Sequence, residues 1–314
     1  MKQRVVFMFS GQGSQYYQMA EQLFNNDNTF REVMIELDGL AKKLIGESVI
    51  KKIYQNNMGL MDSFDRLIYT HPAIFMVEYS LTQMLIEKGI KPDCVLGVSL
   101  GEFASATVAG ILQVEEALES IIVQANMIEK SCPEGKMLAV FGSSNIFEDL
   151  IVHQNSELVA INFDSHFVIS GENRKLSKVE QYLHNRGIHI HSLPVLFGFH
   201  SSAIDSISYQ YKNYLYNKYV QLPQIDFISG LYGEKVEKIN TDYFWDVIRQ
   251  PMNFSDAIRF LEDKNDYLYL DVGPSGTLSN FAKHHIDSHS QSITYNIITP
   301  FNKELVNIER LEKN

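Results

Sequence analysis

Cysteine is scarce. The 314 residues hold two, Cys94 and Cys132, too few for a disulfide framework or a zinc site. Both are expected to be reduced and structural. Long apolar runs are missing as well, so no membrane span is expected. The apolar stretch nearest the start, Val5 to Phe9, is too short for a signal sequence and runs straight into a glycine turn. Positive charge is in deficit, with 27 Lys and Arg against 38 Asp and Glu, a net charge of −11. That balance excludes a general affinity for nucleic acid or an anionic membrane, both of which need a cationic surface. There is no internal repeat and no low-complexity linker. The chain is read as cytoplasmic, with neither a metal nor a bound organic cofactor.

A hydrophobic content of 45% and a charged content of 21% are those of an ordinary globular protein. The length suits one large domain with a smaller one inserted. Val5–Phe9 reads as a buried strand that ends at Ser10-Gly11. Met19–Phe24 has helical spacing. His71–Glu87 is a long helix, with Ile74, Val77, Leu81, Met84 and Leu85 recurring at three and four, Pro72 in its first turn and Gly89 past its end. Cys94–Leu96 is a strand, followed by helices over 102–109 and 115–128. Strand, glycine turn and helix in this order predict an α/β core with a mainly parallel sheet. Between residues 135 and 198 the order becomes βαββαβ: strands at 137–141, 158–162, 167–170 and 188–195, helices at 146–152 and 176–185. This predicts an inserted ferredoxin-like subdomain. The domains are therefore 1–134 with 199–314, and 135–198. After His200 come helices over 204–219, 243–248 and 255–262, strands over 225–229 and 267–272, and a terminal strand near 293–298.

Gly97-Val98-Ser99-Leu100-Gly101 fits G-x-S-x-G, with a strand before it and a helix after it. Such a turn thrusts the serine hydroxyl into the open. It also sets Ser99 at a helix N-terminus, where free N–H groups favour a developing oxyanion. A serine hydroxyl needs a base. Among ten histidines, His200 stands out, because it follows an apolar stretch, Leu193–Phe199, read as a strand, where the insert rejoins the core. Subdomain junctions are usual places for a cleft. A second turn, Gly11-Gln12-Gly13-Ser14-Gln15, ends the first strand and is placed to lay backbone N–H groups beside the elbow. It is neither a phosphate loop nor a dinucleotide fingerprint, having no Gly-Lys-Ser/Thr and no G-x-G-x-x-G.

Six phrases occur in order: GQGSQ at 11–15, GVSLGE at 97–102, PEGKMLAV at 133–140, VISG at 168–171, FGFHS at 197–201 and DVGPSG at 271–276. Together they resemble the malonyl-CoA:acyl-carrier-protein transacylase family over nearly the whole chain. The phrases SGQGSQYY, HPAIFMVEYSL, DSHFVISG and NIITPF are similar to the PksD/PedC-type acyltransferase homologues (acyl hydrolases) of trans-acyltransferase polyketide synthases. The resemblance implies a hydrolase-like α/β core with a ferredoxin-like insert. It makes Ser99 the acylated nucleophile and His200 its base. The N–H groups of Gln12 and Leu100 would form the oxyanion hole, and a backbone carbonyl, assigned to Asn253, would orient the histidine. Asn162 matches an asparagine near the substrate. The partners implied are acyl carrier protein domains, whose phosphopantetheine, or that of coenzyme A, carries the acyl thioester.

Three departures bear on the substrate. Malonyl-loading members carry an arginine where this chain has Gln124, 25 residues past Ser99. Only a guanidinium gives a carboxylate a charged, two-pronged partner, and its loss should cost about 2–4 kcal/mol. Val98 replaces a histidine beside the nucleophile. Phe199 keeps the malonyl-type pattern before the base, while Gly198 removes bulk. The loss of the arginine with the Ser99–His200 dyad retained favours an acyl-carrier-protein hydrolase that clears acyl groups from a polyketide synthase. The alternatives are a malonyl or other acyl transferase to carrier protein, a non-catalytic carrier-binding homologue, and a lipase-like esterase, which the GQGSQ turn and the insert disfavour.

Overall fold

The computed structural model describes residues 3–55 and 57–313. The outermost residues of the expected large subdomain, 1, 2 and 314, lie outside them, as does Asn56. Ten strands form two sheets among the described residues. The first has the order β10-β9-β1-β2-β7-β8, built from β1 (Arg4–Phe9), β2 (Cys94–Gly97), β7 (Asp226–Ser229), β8 (Glu234–Lys235), β9 (Tyr267–Asp271) and β10 (Ile293–Asn296). Every pairing is parallel except β7 with β8. The second is wholly antiparallel, β4-β5-β3-β6, from β3 (Gly135–Phe141), β4 (Glu157–Phe163), β5 (His166–Glu172) and β6 (His189–Ser192). With helices at Leu150–Asn155 and Asn173–Asn185, its connectivity is the expected βαββαβ.

The central strands β1 and β2 read as apolar runs because both faces of the parallel sheet are covered there. In β1, Val5, Phe7 and Phe9 enter one apolar cluster while Val6 and Met8 enter another across the sheet. The second sheet also divides its residues. Leu138, Val140, Phe167 and Ile169 pack with Leu176, Val179 and Leu183 in a small core of their own. Their neighbours Met137 and Val168 turn the other way and join the main core, and Ala139 lines a cavity. Alternation along a strand thus makes one sheet serve two interiors.

Several elements differ from the sequence expectations. The long helix starts four residues earlier, at Leu67, so Pro72 sits inside it and forgoes one intrahelical bond. Asn28–Ile45 is an 18-residue helix that the sequence reading left out. Its signals are plain once seen: Asp27 caps the start, Gly46 ends it at φ 87°, and Phe30, Met34, Leu37 and Ala41 face inward. Leu193–Phe199 is not a strand. Pro194 lacks an N–H, and the segment holds only an isolated bridge between Phe197 and Glu134. The 204–219 helix is a 3₁₀ turn, Ser202–Ile207, followed by Ser208–Leu215. No helix among the described residues is long and apolar enough to cross a membrane.

Candidate active site

β1 and β2 are parallel neighbours with Phe9 beside Gly97, so their C-terminal loops emerge side by side. In an open parallel sheet this is where ligands bind. Ser99 turns the chain from β2 into the helix Gly101–Val108 at φ 55°, a left-handed conformation that a side chain adopts only under tertiary constraint. The flanking glycines are dictated by space. A Cβ on Gly101 would strike the Phe9 carbonyl, and one on Gly97 would lie 2.5 Å from the Glu102 Cα. The loop after β1 is equally close: a methyl on Gly11 would stand 3.0 Å from the Ser99 Cβ and 3.5 Å from the Leu100 nitrogen. The Gln12 and Leu100 N–H groups donate to no protein acceptor among the described residues.

The Ser99 hydroxyl lies 2.8 Å from His200 Nε2. His200, also left-handed at φ 58°, donates its Nδ1–H to the carbonyl of Gln250 at 2.8 Å, and its backbone N–H to that of Ile248. The Nδ1 bond fixes the tautomer and leaves the Nε2 lone pair for the serine proton. Gln250, not Asn253, therefore supplies the carbonyl that orients this imidazole. Gln250 follows the helix Tyr243–Arg249 in extended conformation, while the Asn253 carbonyl receives Ala257 N–H at 3.1 Å in the next helix. Burial pushes the His200 imidazole down to about 4, opposed by the Gln250 bond and helped by Arg249. The base is uncharged at neutral pH.

Both loops are held from below by buried carboxyls. Glu78 accepts the N–H and hydroxyl of Ser10 at 2.7 and 2.8 Å, fixing the root of the Gln12 loop. Glu102 accepts Leu231 N–H at 3.1 Å and lies 3.4 Å from the Ser229 hydroxyl, tying the elbow helix to the end of β7. Burial raises both, Glu78 well above the carboxylate range and Glu102 to about 8. Sequence reading assigned neither a role. Their signal was a lone Glu in a helix apolar all round, HPAIFMVEYSL, and the Glu that closes GVSLGE.

A cavity of about 240 Å³ opens onto Ser99 and His200 between the two sheets. Val98, Asn162 and Phe199, assigned to the substrate from the sequence, line it, and Phe199 backs onto the His71 ring at 5.6 Å. Gln124 does not line it. That side chain is fully buried in the helix Val114–Ser131, its Nε2 donating to the Tyr211 hydroxyl at 3.1 Å. Its place outside the cavity lining corrects its assignment to the substrate. No lysine or arginine lines the cavity among the described residues. Sequence reading also missed His166, which lines it from β5.

Similarity to known proteins agrees with this geometry. Residues 6–314 match the family described as acyl transferase domain. The chain is 43% identical to the polyketide biosynthesis acyltransferase homolog BaeD of Bacillus velezensis and 44% identical to PksD of Bacillus subtilis, covering 99% of this chain and 97% of each relative. Among solved structures, the acyltransferase domain of the second module of the salinomycin polyketide synthase superposes with a TM-score of 0.87 at 24% identity, covering 99% of this chain and 72% of that one. The malonyl-CoA transacylase (MCAT) of Streptococcus pneumoniae does so at 0.80 and 21%, covering 99% of each. The fold is that of these acyltransferases, and the chain belongs to the acyl transferase domain family.

Proposed function

We propose that this enzyme is a trans-acting acyl-carrier-protein hydrolase that removes acyl groups from the carrier thioesters of a polyketide synthase. One observation carries the choice of substrate. Among the described residues the cavity at Ser99 offers no lysine or arginine, so a malonyl carboxylate would be desolvated there without a charged partner. A neutral acyl group meets no such cost. The 44% identity to a polyketide biosynthesis acyltransferase homolog supports the polyketide setting.

The chemistry follows from the dyad. Ser99 Oγ attacks the thioester carbonyl as its proton passes to His200 Nε2. The tetrahedral oxyanion points at the Gln12 and Leu100 N–H groups. Collapse breaks the C–S bond, and His200 returns the proton to the phosphopantetheine sulfur, which arrives on the carrier. Water then attacks the acyl-serine ester, giving its proton to His200. The Ser99 oxygen leaves with that proton, and the acid is released. In the rival reading, transfer, a second thiol takes the place of water.

Intact-protein mass spectrometry separates the two. Acetyl- and malonyl-loaded carrier protein would be offered to the enzyme and to Ser99→Ala. The expected result is an acetyl adduct on Ser99, free acetate with turnover, and neither in Ser99→Ala. Efficient malonyl transfer between thiols with no hydrolysis of the acetyl carrier would overturn the proposal.

A further inference from the structure

The roof of the cavity holds a hydrogen-bond donor that the acyl-serine chemistry does not use. His166 opens β5, and alternation sends Phe167 into the insert's own core while His166 and Val168 face the cavity. The imidazole is 7% exposed. Asn162, across the β4–β5 turn, stands with its Nδ2 at 3.0 Å from His166 Nδ1. An amide N–H donating there leaves the ring hydrogen on Nε2. Asn162 is itself anchored, its carbonyl receiving His285 Nε2–H at 2.6 Å and the Ser255 hydroxyl at 3.1 Å. Three phenylalanines clamp the ring. Phe163 stacks on it at 5.1 Å, Phe141 meets it edge-on at 5.0 Å, and Phe281 lies at 5.5 Å. Burial disfavours its charged form, so it offers a neutral donor and not a cation.

Most other polar side chains of the lining are already engaged. Ser10 and Ser14 bond to each other and, in turn, to Glu78 and the Gly11 carbonyl. The Gln12 amide bonds to Thr70, and the Thr277 hydroxyl to Ser275 at 2.6 Å. His191 is exposed at the rim. The walls between are apolar: Met137, Ala139, Val168, Met252 and Leu278. A donor fixed in such a wall is satisfied only by an acceptor that enters the cavity.

We infer that His166 is a specificity residue whose Nε2–H reads an acceptor oxygen on the acyl chain, so that the enzyme selects 3-hydroxyacyl and 3-oxoacyl thioesters over plain alkyl ones. The inference rests on the acyl-serine reading above. A site built to hydrogen-bond a substrate discriminates against the analogue that lacks the group, and one neutral bond corresponds to about tenfold.

The test is single-turnover acylation of Ser99, followed by mass spectrometry, from carrier-bound 3-hydroxybutyryl, acetoacetyl and butyryl groups. The wild-type enzyme is expected to take the two oxygenated chains about tenfold faster than butyryl. In His166→Phe the ratio falls to about one. His166→Gln, which keeps an N–H on the same wall, retains a preference. Equal rates in the wild type, which need no variant to fold, would overturn the inference, as would an unchanged ratio in His166→Phe. Adducts at Ser99 without selectivity leave the catalytic reading standing and remove this one. No adduct from any chain removes both.

Discussion

In the proposed chemistry His200 serves as the base, and its surroundings keep it free of a proton at neutral pH. An ordinary imidazole titrates near 6.5, whereas burial pushes this one down to about 4 against the opposing effect of its Gln250 bond. The neutral form is the active one, so activity is lost as pH falls through the folded value. Ser99 acylation in a rapid pH-jump should stay on a plateau from about pH 8 down to about 5 and decline only near 4. A descending limb centred at 6.5 would show a solvated imidazole. The same residue marks the limit of legibility. Its side chain was readable from FGFHS and the junction, but the carbonyl that orients it was not. A backbone acceptor carries no residue-type signature, and Gln250 and Asn253 are both polar residues within two positions of Pro251. Gln124 was readable as a departure, yet its partner Tyr211, 87 residues away, was not.

Between the strands and the chemistry stand two short turns, each rooted in a buried carboxyl. Glu102 joins the Gly101–Val108 helix to the chain after β7. Burial raises its folded value to about 8, well above that of an unfolded glutamate. Between those values the folded state holds a proton that the unfolded chain has released, so this residue's contribution to stability is full below about 4.5 and lost as pH rises through about 8. Glu102→Gln, close in shape and without charge, should flatten that part of the profile. Denaturant melts at pH 5 and pH 8 would check it. The wild type should lose more midpoint between the two than the variant, and an equal loss would show that Glu102 is ionised when folded. At this scale the sequence spoke clearly wherever glycines faced hard contacts, as at Gly97 and Gly101. It misled where an apolar run, Leu193–Phe199, lines a cavity and not a sheet, because hydrophobicity reports burial and not the shape of what is buried.

For the molecule as a whole, the decisive arrangement is an antiparallel sheet laid over the open end of a parallel one. Strand and helix order made both sheets legible, since βαββαβ and recurring strand–turn–helix each permit few layouts. The face that each insert residue presents depends on register, which only the structure gives. β3 offers a test. Leu138 belongs to the insert's own core and Ala139 lines the catalytic cavity. Leu138→Ala should cost about 2–5 kcal/mol of stability. Ala139→Leu should narrow the cavity and shift acylation from octanoyl- toward acetyl-loaded carrier. Thermal melts and competition between the two carriers measure these effects. A Leu138→Ala that changes chain preference as strongly as Ala139→Leu would show that the two faces are not independent.

That division of each roof strand has a consequence for how the protein can change over generations. A mutation on one side alters what is held above Ser99, and one on the other alters whether the insert folds. New acyl preferences can therefore accumulate at alternate positions of β3 and β5 while the intervening residues keep the insert folded. The strand's two-residue rhythm sorts heritable variation into what may drift and what must stay.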